Sequence, residues 1–219
     1  MKLTLIDQLV LLALDDEKGT FVSESYEMNY GIAAAILLEL TLAEKIQIHE
    51  KRIQVLNKEA VANPILNRYL EEILDTRKEH TVTHWLERFA EKASLIKEDT
   101  LQHLVEQKIL QKKEGTFLFI FHYDKYPTVD PQPENQLRKR LEGIVLYRQT
   151  PEAEELMLLS LINACQLEKE VFGKEDQKAA KSKIEQLIEQ REDTHLIHAS
   201  IEEIHEALAL AVTLFMTHS

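Results

Sequence analysis

Twice along this chain a helical hydrophobic pattern gives way, within a few residues, to strict alternation. The first passage is Gly31-IAAAILLELTLAEKIQIHEKRIQVL-Asn57 and the second is Thr100-LQHLVEQKILQKKEGTFLFIFH-Tyr123. Ile32, Ile36 and Leu40, and later Leu101, Leu104 and Ile109, recur at helical spacing. Ile46 and Ile48, then Ile53 and Val55, alternate. A switch from a period of about 3.6 to 2 marks a helix running into a β-hairpin. Units of this kind serve as interaction modules for DNA, proteins or membrane surfaces more often than they host chemistry.

The rest of the chain reads as helix. Only five Gly and five Pro occur in 219 residues, which disfavours a loop-rich β fold. Leu, Ile and Ala, rather than aromatics, fill the apolar positions, as helix packing prefers. Helices are expected over 3–15, 31–43, 64–78 and 97–108, with Trp85, Leu86 and Phe89 in a segment at 81–92. Further helices are expected over 134–147, 151–166, 175–191 and 197–217, with Pro151 as a first helical residue and Thr150 as its cap. Hairpins are expected over 45–56 and 109–121, the second turning at Glu114-Gly115. Residues 20–30 read as irregular, and 122–136, which hold three prolines, as the longest loop. No linker composition divides the chain. The expected fold is mainly α: one domain over 1–219, a helical bundle of about nine helices with two short β-hairpins attached.

Charge narrows the function. The net charge is −12, and an acidic surface repels a phosphate backbone, so nucleic acid is disfavoured as a partner. The lone Cys165 sits in an apolar stretch and reads as a small buried hydrophobe, consistent with a reducing cytoplasm. The opening MKLTLIDQLVLLALDDE does not read as a secretory signal, because Asp7 and Gln8 interrupt its apolar stripe. The run ALALAVTLFM near the end is about half of what spans a bilayer, so membrane association would be peripheral. No Gly-rich phosphate loop, nucleophile elbow or zinc-protease motif is present, and no catalytic residue or cofactor is expected. His195, His198, Glu202 and His205 form one stripe on the last expected helix, and His80 and His84 stand one turn apart. The stripe reads as solvent-facing rather than metal-binding, since no second motif adds ligands, and the His80–His84 pair is a weaker metal signal still.

Three stretches, taken in order, resemble one family. They are Leu3-TLIDQLVLLALDDEKG-Thr20, then Gly31-IAAAILLELTLAEKIQI-His49, then Leu104-VEQKILQ leading into Phe117-LFIF-Phe121, Tyr126-Pro127 and Leu137-RKRLEGIVL-Tyr147. Together they are similar to the Golgi phosphoprotein 3 family, and the chain is expected to be one of its bacterial members. The resemblance implies a mostly helical, non-enzymatic domain with a projecting hairpin. It implies a peripheral membrane adaptor that binds phosphatidylinositol 4-phosphate and the cytoplasmic tails of other proteins. The family's phosphate pocket uses an aromatic residue, an Arg shortly after the Gly of the second stretch and an Arg-rich helix. Here those places read Phe21-Val22-Ser23-Glu24, Ala33 and Ser94-Leu95-Ile96-Lys97-Glu98-Asp99. General attraction to anionic headgroups is therefore expected in place of specific phosphoinositide recognition.

The candidate anion-binding residues are Lys97, Arg138, Lys139 and Arg140. The candidate membrane or subunit contacts are Leu118, Ile120, Tyr123, Lys125 and Tyr126, on the second hairpin and the loop after it. Five successive apolar residues, 117–121, cannot all face one core from one strand, so a second copy of the chain or a membrane is expected to cover one face. Two other readings remain open from sequence: a winged-helix DNA-binding regulator, and a purely structural oligomerisation module.

Overall fold

The helix at the centre is the one whose sequence has no polar face. In this computed structural model, which describes residues 2–23, 25–76, 78–117 and 121–189 with 203, 204, 206 and 207, α2 spans Tyr26–Leu42. Every position from Gly31 to Leu38 is buried. A helix hydrophobic all round must be covered all round. Around it stand α1 (Leu5–Leu12), α3 (Pro64–Leu74), α4 (Val82–Ala90), α5 (Ala93–Glu106) and α7 (Ala153–Ala164). Outside these, α6 (Gln132–Val145) touches α1 and α8 (Glu168–Glu189), and α8 packs on α7. The described residues thus form eight helices and two separate two-stranded antiparallel sheets, the mainly α fold the sequence implied.

Small residues set how closely the layers approach. A Cβ on Gly31 would overlap the Sγ of Cys165, which follows α7. The glycine lets α2 and α7 meet at that point. Cys165 is 3 % exposed, and burial pushes its thiol up to about 12, so it behaves as a small hydrophobe.

Helix starts follow their caps. Thr4 and Asp7 form a capping box at α1, and Glu39 of α2 accepts from the Leu5 N–H at 2.7 Å. Asp7, which interrupts the apolar stripe of α1 in sequence, is buried because its carboxylate accepts from Thr4. Ser25 caps α2, which starts five residues before the expected helix start at 31. Its side chain accepts from Met28 N–H, so half of the supposed irregular stretch is helix. Helix α7 is capped by Glu152 with Glu155, rather than by Thr150. Helix α8 begins at Glu168, earlier than expected, and is broken at Gly173, whose φ of 83° and ψ of 163° lie outside helical space. The expected helix over 197–217 falls almost entirely outside the described residues.

The first hairpin follows expectation: β1 (Ile46–His49) pairs with β2 (Arg52–Val55). Ile46, Ile48 and Ile53 face the core, while Gln47 and Gln54 bond across the outer face at 2.8 Å. Glu50 and Lys51, both at positive φ, make a two-residue turn of the kind whose twist suits a hairpin. The second hairpin differs from expectation. Strand β3 is Lys113–Phe117 and β4 is Phe121–Lys125, with Gly115 opposite Tyr123 and Phe117 opposite Phe121. Glu114 and Gly115 lie within β3, and the chain reverses between Phe117 and Phe121. An unbroken apolar run carries no alternation that would reveal a turn inside it.

The base of this hairpin is bolted to the loop after α1. The Tyr126 N–H donates to the Gly19 carbonyl (2.8 Å), and the Thr128 N–H to the Asp16 carbonyl (3.2 Å). Gly19 has φ of 65°, and a Cβ there would overlap the backbone at Tyr126 and Pro127, so only glycine fits. The expected loop over 122–136 shrinks accordingly to the residues between Lys125 and Gln132.

Candidate anion and membrane-contact site

Lys97 is the cation that the fold places most deliberately. It lies in the second turn of α5 and is only 9 % exposed. Its ammonium donates to Asn29 Oδ1 of α2 at 2.9 Å and stands 5.1 Å from the centre of the Phe21 ring. The ammonium is thus held between an amide oxygen and an aromatic face. Glu27, two residues before Asn29 in the first turn of α2, accepts from Gln166 at 3.4 Å, and its carbonyl lies 3.7 Å from the Cys165 Sγ. Two positions named from the resemblance add no positive charge: Ala33 is wholly buried, and Asp99 pairs with Arg68 of α3. Asn29 was not singled out from sequence. The signal that would have found it is Ser25, whose cap extends α2 back through residue 29 and onto the face beside α5.

The other three candidate cations are separated by their partners. Arg138 pairs with Glu134 (2.6 Å) and donates to the Glu170 carbonyl at 2.6 Å, just before the break in α8. Arg140 grips Glu155 with two bonds, 2.6 and 2.8 Å, and reaches Gln149 and the Thr150 carbonyl. Both guanidinium groups are thus committed to joints between helices. Their roles are structural, because a carboxylate already fills the fork an anion would need. Lys139 alone of the run is exposed, with no partner among the described residues.

On the second hairpin Tyr123 is 41 % exposed, and the Lys125 ammonium lies 5.2 Å from its ring centre. Gly115 across the ladder makes room for both: a Cβ there would come within 2.6 Å of Lys125 Cε and 2.8 Å of the Tyr123 ring. Lys113 sits directly opposite Lys125 in the register, so two ammonium groups share one face. Tyr126 departs from expectation. It is 8 % exposed, and its backbone is tied to Gly19, so it belongs to the hairpin's anchor instead of its contact face. Leu118 and Ile120 lie outside the described residues, as does the His195, His198, Glu202 and His205 stripe. His80 and His84 stack at 4.1 Å.

Among the described residues, no three His, Cys, Asp or Glu side chains converge to hold a metal, and no helix is long and apolar enough to cross a membrane. Helix α2, the helix of the first helix–hairpin unit, is buried from Gly31 to Leu38, while Tyr26 at its start is exposed.

The chain is 21 % identical over 168 residues to vacuolar protein sorting-associated protein 74 of Schizosaccharomyces pombe, covering 67 % of this chain and 49 % of that protein. It is 20 % identical over 167 residues to the protein of the same name from Eremothecium gossypii, covering 67 % of this chain and 50 % of that one. The chain spans about half the length of these curated relatives. The model of the Golgi phosphoprotein 3 family matches residues 5–208, nearly the whole sequence from α1 onward, and the chain belongs to that family.

Proposed function

We propose that this chain is a non-enzymatic, peripheral membrane adaptor domain that meets anionic lipid headgroups at the cytoplasmic face of a membrane. The observation that carries this is the family match across residues 5–208. The surface is consistent with it. Lys97 offers one sheltered ammonium, and the second hairpin offers Tyr123, Lys113 and Lys125 on one face. Two like charges opposite each other in a ladder cost stability unless an anion lies over them. An amphipathic tyrosine beside lysines suits the water–lipid boundary. Each basic residue near an anionic surface contributes about 1 kcal/mol, so a few of them suffice for reversible attachment.

Lys97 is the one cation identified at this site among the described residues, so charge, and not the headgroup's identity, is expected to set binding. Vesicle flotation tests this with neutral, generally anionic and phosphatidylinositol 4-phosphate-containing liposomes. The protein should float with both anionic sets and not with the neutral one, with no preference for the phosphoinositide at equal charge. Exchanging Lys113 and Lys125 for Glu should weaken flotation by about tenfold or more, two basic contacts being lost. Absence of flotation with every anionic vesicle would overturn the proposal.

Self-association and the docking of protein tails belong to the same proposal. The double change Leu118→Ser with Ile120→Ser, followed by sedimentation velocity and circular dichroism, distinguishes a contact face from core. Weaker association with helical content intact supports a contact face. An unfolded variant shows that these side chains are core.

A further inference from the structure

The two carboxyl oxygens of Glu134, a buried residue in the first turn of α6, have different surroundings. Oε1 takes two nitrogens of Arg138, at 2.7 and 2.6 Å. The third guanidinium nitrogen is held by the Glu170 carbonyl of α8 at 2.6 Å, which fixes the fork on that one oxygen. Among the described residues no N–H or hydroxyl donates to Oε2. What Glu134 bonds besides Arg138 is a second acid, Asp16 of the loop after α1. Two carboxylates have no hydrogen to share, so this bond forms only when one of them is protonated. The proton belongs to Glu134, because burial, reinforced by Asp16, pushes its carboxyl up to about 7 against the pull of Arg138.

Asp16 also holds the second hairpin. Its side chain accepts from the Thr128 hydroxyl at 3.0 Å, and its carbonyl accepts from the Thr128 N–H at 3.2 Å. Three residues on, the Gly19 carbonyl accepts from the Tyr126 N–H at 2.8 Å. Strands β3 and β4 pack chiefly on each other, so these bonds are the hairpin's main hold on the helices. The other charged groups on the elements around Glu134 are engaged elsewhere. Asp15 pairs with Lys18 at 2.9 Å, Glu170 pairs with Lys169 at 3.1 Å, and Asp130 accepts from the Gln132 N–H at 3.0 Å. Glu17 is exposed. Asp16 and Arg138 are therefore the charges that Glu134 answers to. Asp16 is itself exposed, so it can turn to water when Glu134 ionises, whereas Arg138, pinned between Glu134 and Glu170, cannot follow.

We propose that Asp16 and Glu134 share one proton as a clamp on the base of the second hairpin, closed in mild acid and released towards neutrality. On release the Glu134 proton passes to water, Asp16 turns outward, and its hold on Thr128 is lost. Linkage gives the sign. A closed form that binds one more proton than the open form opens more readily as pH rises, by at most about tenfold per pH unit, and levels off once both forms are ionised.

Hydrogen exchange of the full chain, resolved by NMR and expressed as protection over the unfolded-chain rate, reads this opening directly. Protection of the Tyr126 and Thr128 N–H groups should be about tenfold or more lower at pH 7.5 than at pH 5.5. The Leu56 N–H at the base of the first hairpin, which donates to the Lys45 carbonyl at 2.8 Å, should keep its protection. Glu134→Gln supplies a permanent donor to Asp16 and keeps an oxygen for Arg138. Asp16→Asn keeps an oxygen for Thr128 and removes the facing charge. Each should hold the Tyr126 and Thr128 protection near its pH 5.5 value at both pH values. Asp16 being exposed, D16N tests the clamp even if E134Q fails to fold. Equal protection at the two pH values in the unaltered chain, an equal fall at Leu56, or an undiminished fall in either folded variant would each overturn the proposal. No vesicle enters these measurements, so their outcome is independent of the membrane adaptor function.

Discussion

Gly31 shows how one atom's absence positions two helices. The Cys165 sulfur occupies the space a Cβ on Gly31 would take, so Gly31→Ala must push α2 and α7 apart or turn the thiol away. Overpacking of a tight core costs roughly 1–3 kcal/mol. Removing the sulfur removes the clash. Chemical denaturation of G31A, C165A and the double variant should therefore show strong non-additivity, the double variant being more stable than the sum of the singles predicts. Additive losses would mean that the two helices do not meet through this pair. The sequence pointed to Cys165 as a buried hydrophobe but could not say what it packed against. The contact spans more than a hundred residues of chain, and local pattern carries no such distance. The same holds for Arg138 and Arg140. Their clustering in sequence suggested a cationic patch, whereas Glu134 and Glu155, which claim them, were visible only as ordinary acids.

Elements were legible where a local rule acts alone and illegible where tertiary bonds override it. The first hairpin was placed within a residue because its alternation and its two-residue turn are both local. The second was misplaced because its apolar run hides the reversal, and because its base is held by Gly19, Asp16 and the bridge from Leu110 to Thr128. Joints between helices follow the same logic. Arg140 ties the end of α6 to the start of α7 through Glu155, Gln149 and the Thr150 carbonyl. Its loss removes a bidentate pair on a half-exposed surface and leaves Glu155 with fewer partners. Arg140→Ala should lower stability measurably in urea titration, whereas Lys139→Ala should leave it unchanged. In flotation the order should reverse, with Lys139→Ala the more damaging. A loss of vesicle binding in a fully stable Arg140→Ala would restore that residue to the lipid site.

Across the whole molecule, buried acids set the response to pH. Glu134 is 3 % exposed, and burial, with a contribution from Asp16, holds its carboxyl up to about 7 despite Arg138 alongside. Burial likewise raises Glu39 and Glu168 above the ordinary carboxylate value. An acid raised in the folded state keeps its proton longer there than in the unfolded chain. Between the ordinary value of 4.5 and about 7, the folded form binds more protons, so stability falls as pH rises through that window and levels off above it. Glu134 accounts for at most about 3 kcal/mol of this slope. Glu72 and Asp15, whose pKa values are lowered, act below the window: their contribution is lost only as pH falls under the ordinary carboxylate range. Melting temperature should therefore rise from pH 7.5 to about 5. Glu134→Gln, which keeps an acceptor for Arg138, should flatten the profile. An unchanged slope in that variant would show that Glu134 is ionised throughout.

The sequence by itself determined the helical class, a helix over 31–43, the first hairpin, the acidic charge and the family. Each of these follows from hydrophobic period, composition or an ordered set of short patterns, which are properties of neighbours along the chain. Only the tertiary structure decided which charges are free. It sheltered Lys97 against Phe21 and Asn29, spent Arg138 and Arg140 on helix joints, moved Tyr126 inward, and set Asp16 against Glu134. A side chain's availability depends on what the fold brings within a few ångströms of it, and for these residues the deciding partners come from distant parts of the chain.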